Sequence, residues 1–110
     1  MKSRLGKARL RMPKTARRGE IIEICTMAEH PMESGFRHNN VGKLIPRHIA
    51  TKFHCTYNGR EVFRAELFPA VSTNPYFLFY IVADQSGELV FSWADDRGGA
   101  ISEVRQLEVT

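Results

Sequence analysis

Six side chains of this chain could ligate a metal or carry redox chemistry: His30, His38, His48, His54, Cys25 and Cys55. Zinc sites usually draw ligands in close pairs, because one turn or hairpin then aims both at the same ion. Here the only near neighbours are His54 and Cys55, and adjacent residues of a strand point to opposite faces. The spacing predicts scattered loop and surface histidines, with no metal and no cofactor. Asp95-Asp96 are paired carboxylates, but in Asp95-Asp96-Arg97-Gly98-Gly99 they read as solvated residues of a hairpin loop. Gly98-Gly99 has the pattern of a turn rather than of a phosphate loop, and no nucleophile elbow is present. Catalysis is not indicated. Cys25 and Cys55 each fall inside an expected strand and read as reduced, small core hydrophobes.

The elements that would position these residues are strands. Asn58-Gly59 joins two apolar runs within Ile49–Leu67, a strong hairpin signal because both residues tolerate positive φ. A two-residue turn would pair Cys55 with Val62 and put Phe63, Ala65 and Leu67 on the face of Lys52 and His54. A three-residue loop, Tyr57-Asn58-Gly59, pairs Phe53 with Phe63 and Thr51 with Ala65. That register gathers Ile49, Phe53, Cys55, Phe63, Ala65 and Leu67 on one face, and the apolar pattern favours it.

Further strands are expected at Ala8–Met12, Glu20–Glu29, Tyr76–Ala83, Gly87–Ala94 and Ala100–Val109, with Pro13–Gly19 and Met32–Val41 as loops. Val104 breaks the parity of Ile101, Leu107 and Val109, and a bulge near Val104–Gln106 would reconcile them. About seven short strands, frequent turn signals and no helical periodicity predict an all-β fold, an immunoglobulin-like antiparallel β-sandwich. A small closed barrel is the alternative.

The chain has 110 residues, enough for one domain: a basic N-terminal arm at 1–7 and a sandwich over 8–110. Residues 1–18 hold eight Lys/Arg and no acid, whereas 19–110 hold eight bases against twelve acids. The positive charge therefore belongs to the N-terminal stretch 1–18, of which the arm is the first part. The arm has no aromatic residue on which bases could stack, and it reads as an edge-guarding terminus rather than a nucleic-acid binder. No apolar run is long enough to span a bilayer, and no apolar stretch follows the first positive residues as a secretory signal requires.

In a sandwich each strand should alternate between core and solvent. Tyr76–Ala83, and to a lesser degree Glu20–Glu29, are apolar on both parities. Burial against a partner explains this, and so does cover by loops or by the arm.

Several motifs occur together in order: Arg11-Met12-Pro13-Lys14-Thr15-Ala16, Gly19-Glu20-Ile21-Ile22-Glu23-Ile24, His30-Pro31-Met32-Glu33-Ser34-Gly35, Ile45-Pro46-Arg47, Tyr57-Asn58-Gly59, Asn74-Pro75-Tyr76 and Phe91-Ser92-Trp93-Ala94-Asp95-Asp96. The chain resembles the SoxZ family, the Z subunit of the sulfur-carrier complex SoxYZ of thiosulfate oxidation. His30–Gly35 is similar to that family's His-Pro-Met-Glu-Thr-Gly signature, with Ser34 in place of Thr.

The resemblance implies a non-catalytic subunit that pairs with SoxY, whose C-terminal Gly-Gly-Cys-Gly-Gly tail carries the sulfur. This chain ends in Leu107-Glu108-Val109-Thr110, without such a tail. It also implies transient contacts with other Sox proteins and a periplasmic location reached with a signal-bearing partner. Neither nucleic acid nor membrane insertion is expected. Candidate partner contacts are His30, Pro31, Met32, Glu33, Gly35, Tyr76, Phe77, Phe79 and Trp93. A strand-ending turn fixed by Pro31 and Gly35 is the other reading of that motif. The rival functions are a basic-armed nucleic-acid binder and a small Cys/His metal or redox protein.

Overall fold

The computed structural model describes residues 7–30, 32–68 and 74–110. The basic arm expected at 1–7 thus lies outside the described residues except for Lys7, and so does Pro31. Among the described residues the chain forms strands and no helix. In order these are β1 (Ala8–Arg11), β2 (Thr15–Ala16), β3 (Ile21–Ala28), β4 (Ala50–Tyr57), β5 (Arg60–Glu66), β6 (Tyr76–Val82), β7 (Gly87–Asp95) and β8 (Ala100–Val109). They make two sheets, β1-β3-β6 and β2-β8-β7-β4-β5.

Alternation along β3 puts Ile22, Ile24, Thr26 and Ala28 inward, all buried. They face Phe53 and Cys55 of β4 and Leu89, Phe91 and Trp93 of β7 in one apolar core. Aromatic rings lock the two layers together. Phe53 stacks on Phe77 at 5.0 Å, and Phe63 on Phe79 at 4.3 Å between centroids. Such offset contacts add to the area that the rings bury. Tyr57 closes one end of the sandwich: its hydroxyl accepts from the N–H of Gln85 at 3.1 Å and donates to the carbonyl of the same residue.

Three expectations about the strands are corrected. The central hairpin does not use a three-residue loop. Tyr57 opposes Arg60 across a two-residue turn, with Asn58 at φ 50° and Gly59 at φ 82°, the left-handed pair such a turn demands. The register then slips between Cys55 and Thr56, so that Cys55 opposes Phe63 and Phe53 opposes Ala65. Val62 is the extra residue of this bulge. The slip restores the parity that a simple two-residue turn would have inverted, and the expected apolar face survives.

The Pro13–Gly19 segment is not wholly a loop. Proline removes a ladder donor after β1, the chain crosses to the other sheet, and Thr15–Ala16 pairs in parallel with Glu108–Val109. The sandwich is therefore not purely antiparallel. Finally, β8 has no bulge at Val104. It runs in unbroken register along β7, and Val104 stands outward opposite Val90.

Candidate functional site

The His30–Gly35 motif is built into the structure at one end of the sandwich. β3 ends at Ala28, and His30 is held in place by Asn74. The Asn74 side-chain oxygen accepts the His30 N–H at 2.9 Å, while the Asn74 N–H donates to the His30 carbonyl at 2.8 Å. Met32 takes a left-handed φ of 51°, its N–H donates to His30 Nδ1 at 2.9 Å, and its sulfur accepts from the N–H of Ala50. Glu33 and His48 exchange backbone hydrogen bonds, which ties the motif to the approach of β4.

The hairpin loop after β7 completes this end. Asp96 accepts from the N–H of Ile49 at 3.1 Å and pairs with Arg47 at 3.0 Å. The Arg97 guanidinium donates to the Arg47 carbonyl at 2.9 Å. Asp95 turns inward. One of its oxygens, Oδ1, accepts the N–H groups of Gly99 at 2.7 Å and Arg97 at 3.0 Å. The other, Oδ2, stands 3.0 Å from His48 Nε2 and 3.8 Å from His30 Nε2. The two imidazoles meet edge to face at 5.2 Å.

Burial pushes the Asp95 carboxyl upward, but the hydrogen bonds from His48 and from the Gly99 and Arg97 N–H groups outweigh it and bring it down to about 2. The carboxylate stays ionised at neutral pH. Sequence spacing misplaced this group: His30 and His48 are interior, not scattered surface residues, and Asp95 is not a solvated turn residue. Its members lie 18 and 47 positions apart, and no local pattern links them. Loop closure between three separate segments brings them together.

Gly35 has a structural reason of its own. It sits at φ 89°, and a Cβ there would stand 3.1 Å from Arg47 Cβ. Gly35→Ala combines a left-handed penalty with a tight contact, and is expected to lower stability by about 1–2 kcal/mol in chemical denaturation.

A second feature is the outward face of the three-stranded sheet. Cross-strand pairing sets Met27 beside Tyr76, Cys25 beside Leu78, Glu23 beside Tyr80, and Ile21 beside Val82. Tyr76, Leu78, Tyr80, Val82 and Ile21 are between 44% and 67% exposed. The polar groups among them are knitted together: the Tyr80 hydroxyl donates to Glu23 at 3.2 Å, and Arg11 reaches Cys25 Sγ at 3.7 Å. Among the described residues β6 is also the outer strand of its sheet, hydrogen-bonded on one side to β3 alone. A seven-residue apolar edge open to pairing is the feature that monomeric β-proteins blunt.

The expected partner contacts therefore divide. His30, Met32, Phe79 and Trp93 are core residues with at most 6% exposure, and their side chains offer no surface to a partner. Each of them points inward because its strand parity or its turn directs it to the core. Glu33, Gly35 and Phe77 are half-buried, Tyr76 is exposed, and Pro31 lies outside the described residues. Reading Tyr76–Ala83 as apolar on both faces was sound, but the exposed parity is Tyr76, Leu78, Tyr80 and Val82.

Both cysteines are free. Cys25 lies on the outward face of β3, in a shallow pocket of about 260 Å³ lined by Arg9, Arg11, Met27 and Tyr76. Cys55 is wholly buried, and burial pushes its thiol up to about 12. Only thiolate reacts with alkylating reagents. Brief iodoacetamide treatment of the folded chain at pH 8 is expected to leave Cys55 unmodified, with full labelling only after denaturation, as mass spectrometry would show.

Two facing sheets with an intervening aromatic core define an immunoglobulin-like β-sandwich, and solved structures share it. A superoxide reductase (neelaredoxin) from Ignicoccus hospitalis superposes with a TM-score of 0.68 at 12% identity, over 96% of this chain and 82% of that one. The sulfur carrier protein SoxY from Chlorobium limicola f thiosulfatophilum gives 0.67 at 16% identity, over 94% and 78%. The hypothetical protein PH1083 from Pyrococcus horikoshii OT3 gives 0.67 at 15%, over 98% and 96%. At these identities the likeness shows the fold alone. No curated protein sequence matches significantly. The profile of the family described as Sulphur oxidation protein SoxZ matches residues 10–105, and the chain belongs to that family. It is a sulfur-oxidation protein of the Sox system.

Proposed function

We propose that this chain is the non-catalytic subunit of a sulfur-carrier heterodimer, in which it binds and supports a SoxY-like subunit. The partner's C-terminal cysteine carries thiosulfate-derived sulfur between Sox enzymes, and the pair works in the periplasm after export with a signal-bearing partner. The observation that carries this reading is the open apolar edge of β6 with the exposed row Tyr76, Leu78, Tyr80 and Val82 beside it. Aromatic and aliphatic side chains at this density are what a stable interface buries at its centre. Membership of the SoxZ family supports a SoxY-like protein as the partner. The buried His30–Asp95–His48 group supports the surface indirectly, because Asn74, which holds His30, also leads into β6.

Mixing the chain with a SoxY-like subunit and measuring mass by light scattering is expected to give a one-to-one complex. Sulfur loading of the partner's cysteine by Sox enzymes is expected to require that complex, while the chain alone consumes no thiosulfate. Turnover of thiosulfate by the isolated chain, or two non-interacting species at micromolar concentration, would overturn the proposal.

A further inference from the structure

We propose that His30, His48 and Asp95 form a binding site for one first-row divalent cation, with Zn2+ as the reference ion. This goes beyond the carrier-subunit reading and does not depend on it. Two imidazole nitrogens and one carboxylate oxygen, all within 4.8 Å of one another, converge from three segments of the chain. They come from the end of β3, the approach to β4 and the end of β7. Donors bound at about 2.0–2.2 Å around a tetrahedral ion lie roughly 3.3 Å apart, so adjustments of under about 1.5 Å would close the site. Asp95 Oδ1 is pinned by the Gly99 and Arg97 N–H groups, which leaves Oδ2 directed at both imidazoles. Orientation of a ligating carboxylate by backbone donors is the supporting shell that metal sites use.

The donor set selects the ion. Two imidazoles and a carboxylate suit Zn2+, Co2+, Ni2+ or Fe2+. They do not suit Cu+, which seeks sulfur, or Ca2+ and Mg2+, which seek oxygen cages. Three protein donors leave a fourth position for water, and burial of all three residues keeps that position out of ready reach of solvent. Burial also predicts slow loading, since the loops must part to admit the ion.

Protons must be placed. The Met32 N–H donates to His30 Nδ1, so a neutral His30 carries its proton on Nε2. Binding at Nε2 moves that proton to Nδ1 and forfeits the Met32 hydrogen bond, which lowers affinity by roughly 10- to 100-fold. Structural zinc sites reach tens of nanomolar or tighter, so a dissociation constant on the order of a micromolar is expected here.

The test is titration of the tag-free, chelator-treated chain with Zn2+ and with Co2+. One equivalent is expected to bind, with a melting midpoint raised by on the order of 5–15 °C at saturation. Bound Co2+ is expected to show visible ligand-field bands without a thiolate charge-transfer band, a readout that needs no variant. His48→Gln and Asp95→Asn are expected to weaken binding at least about tenfold. A variant carrying both His38→Gln and His54→Gln, at exposed positions outside the group, is expected to bind as the parent does. Overturning results are no saturable binding with no rise in melting, a thiolate band, or binding lost in the His38/His54 variant but kept in His48→Gln.

Discussion

Replacing Leu78 and Tyr80 together by lysine is expected to weaken the complex with a SoxY-like subunit by about a thousandfold. Each side chain is large, apolar and exposed at the middle of β6, with Leu78 opposite Cys25 and Tyr80 opposite Glu23. Truncating or charging a central interface residue costs about 2 kcal/mol or more, and two such losses compound to roughly three orders of magnitude. Lysine is the residue that natural edge strands use to refuse pairing, and at position 80 it would face Glu23. The isolated variant should therefore fold as the parent does, with its melting temperature shifted by no more than a few degrees. Titration calorimetry against the partner measures the affinity, and thermal unfolding of the variant alone provides the control. An unchanged dissociation constant would mean that β6 faces solvent in the complex.

Asp95→Ala is expected to destabilise the metal-free chain by about 3–5 kcal/mol, the range for breaking a buried charged hydrogen-bonded group. The substitution removes the acceptor of His48 Nε2 and of the Gly99 and Arg97 N–H groups in one step. Asp95→Asn keeps the shape and one acceptor oxygen, so it should cost about half as much. Because a domain of this size has roughly 5–15 kcal/mol in hand, the alanine variant should unfold at markedly lower urea. Equal, small effects from the two substitutions would show that the carboxylate is not what holds this end of the sandwich together.

The two features at the ends of these predictions differ in how visible they were in the sequence. The apolar surplus of Tyr76–Ala83 is a local pattern. Period-two alternation fails within a single strand, and the exposed row lies where that failure points. The core face of the central hairpin was legible for the same reason, down to Phe53, Cys55 and Phe63. The turn between them was not. Asn58-Gly59 suits a two-residue turn and a bulged loop alike, and the structure reconciles turn chemistry with the apolar face by slipping register at Cys55 and Thr56.

The acidic hairpin loop misled more seriously. Asp95 is the last residue of β7, and the inward parity of Phe91 and Trp93 carries on to it. That parity was the available signal for its burial. Its histidine partners were beyond local reading, since His30 follows one sheet and His48 precedes the other. Trp93 and Phe79 were drawn towards the surface by their aromatic character, although the same parity argument that buried Phe53 assigns both to the core.

Hydrogen exchange across Tyr76–Val82, with and without a SoxY-like subunit, tests the central claim most directly. Among the described residues no strand neighbours the β6 amides turned away from β3, and binding is expected to slow their exchange strongly. Exchange in the Tyr57–Arg60 turn should stay as it was. A complex that forms while β6 exchanges as freely as before would contradict the account.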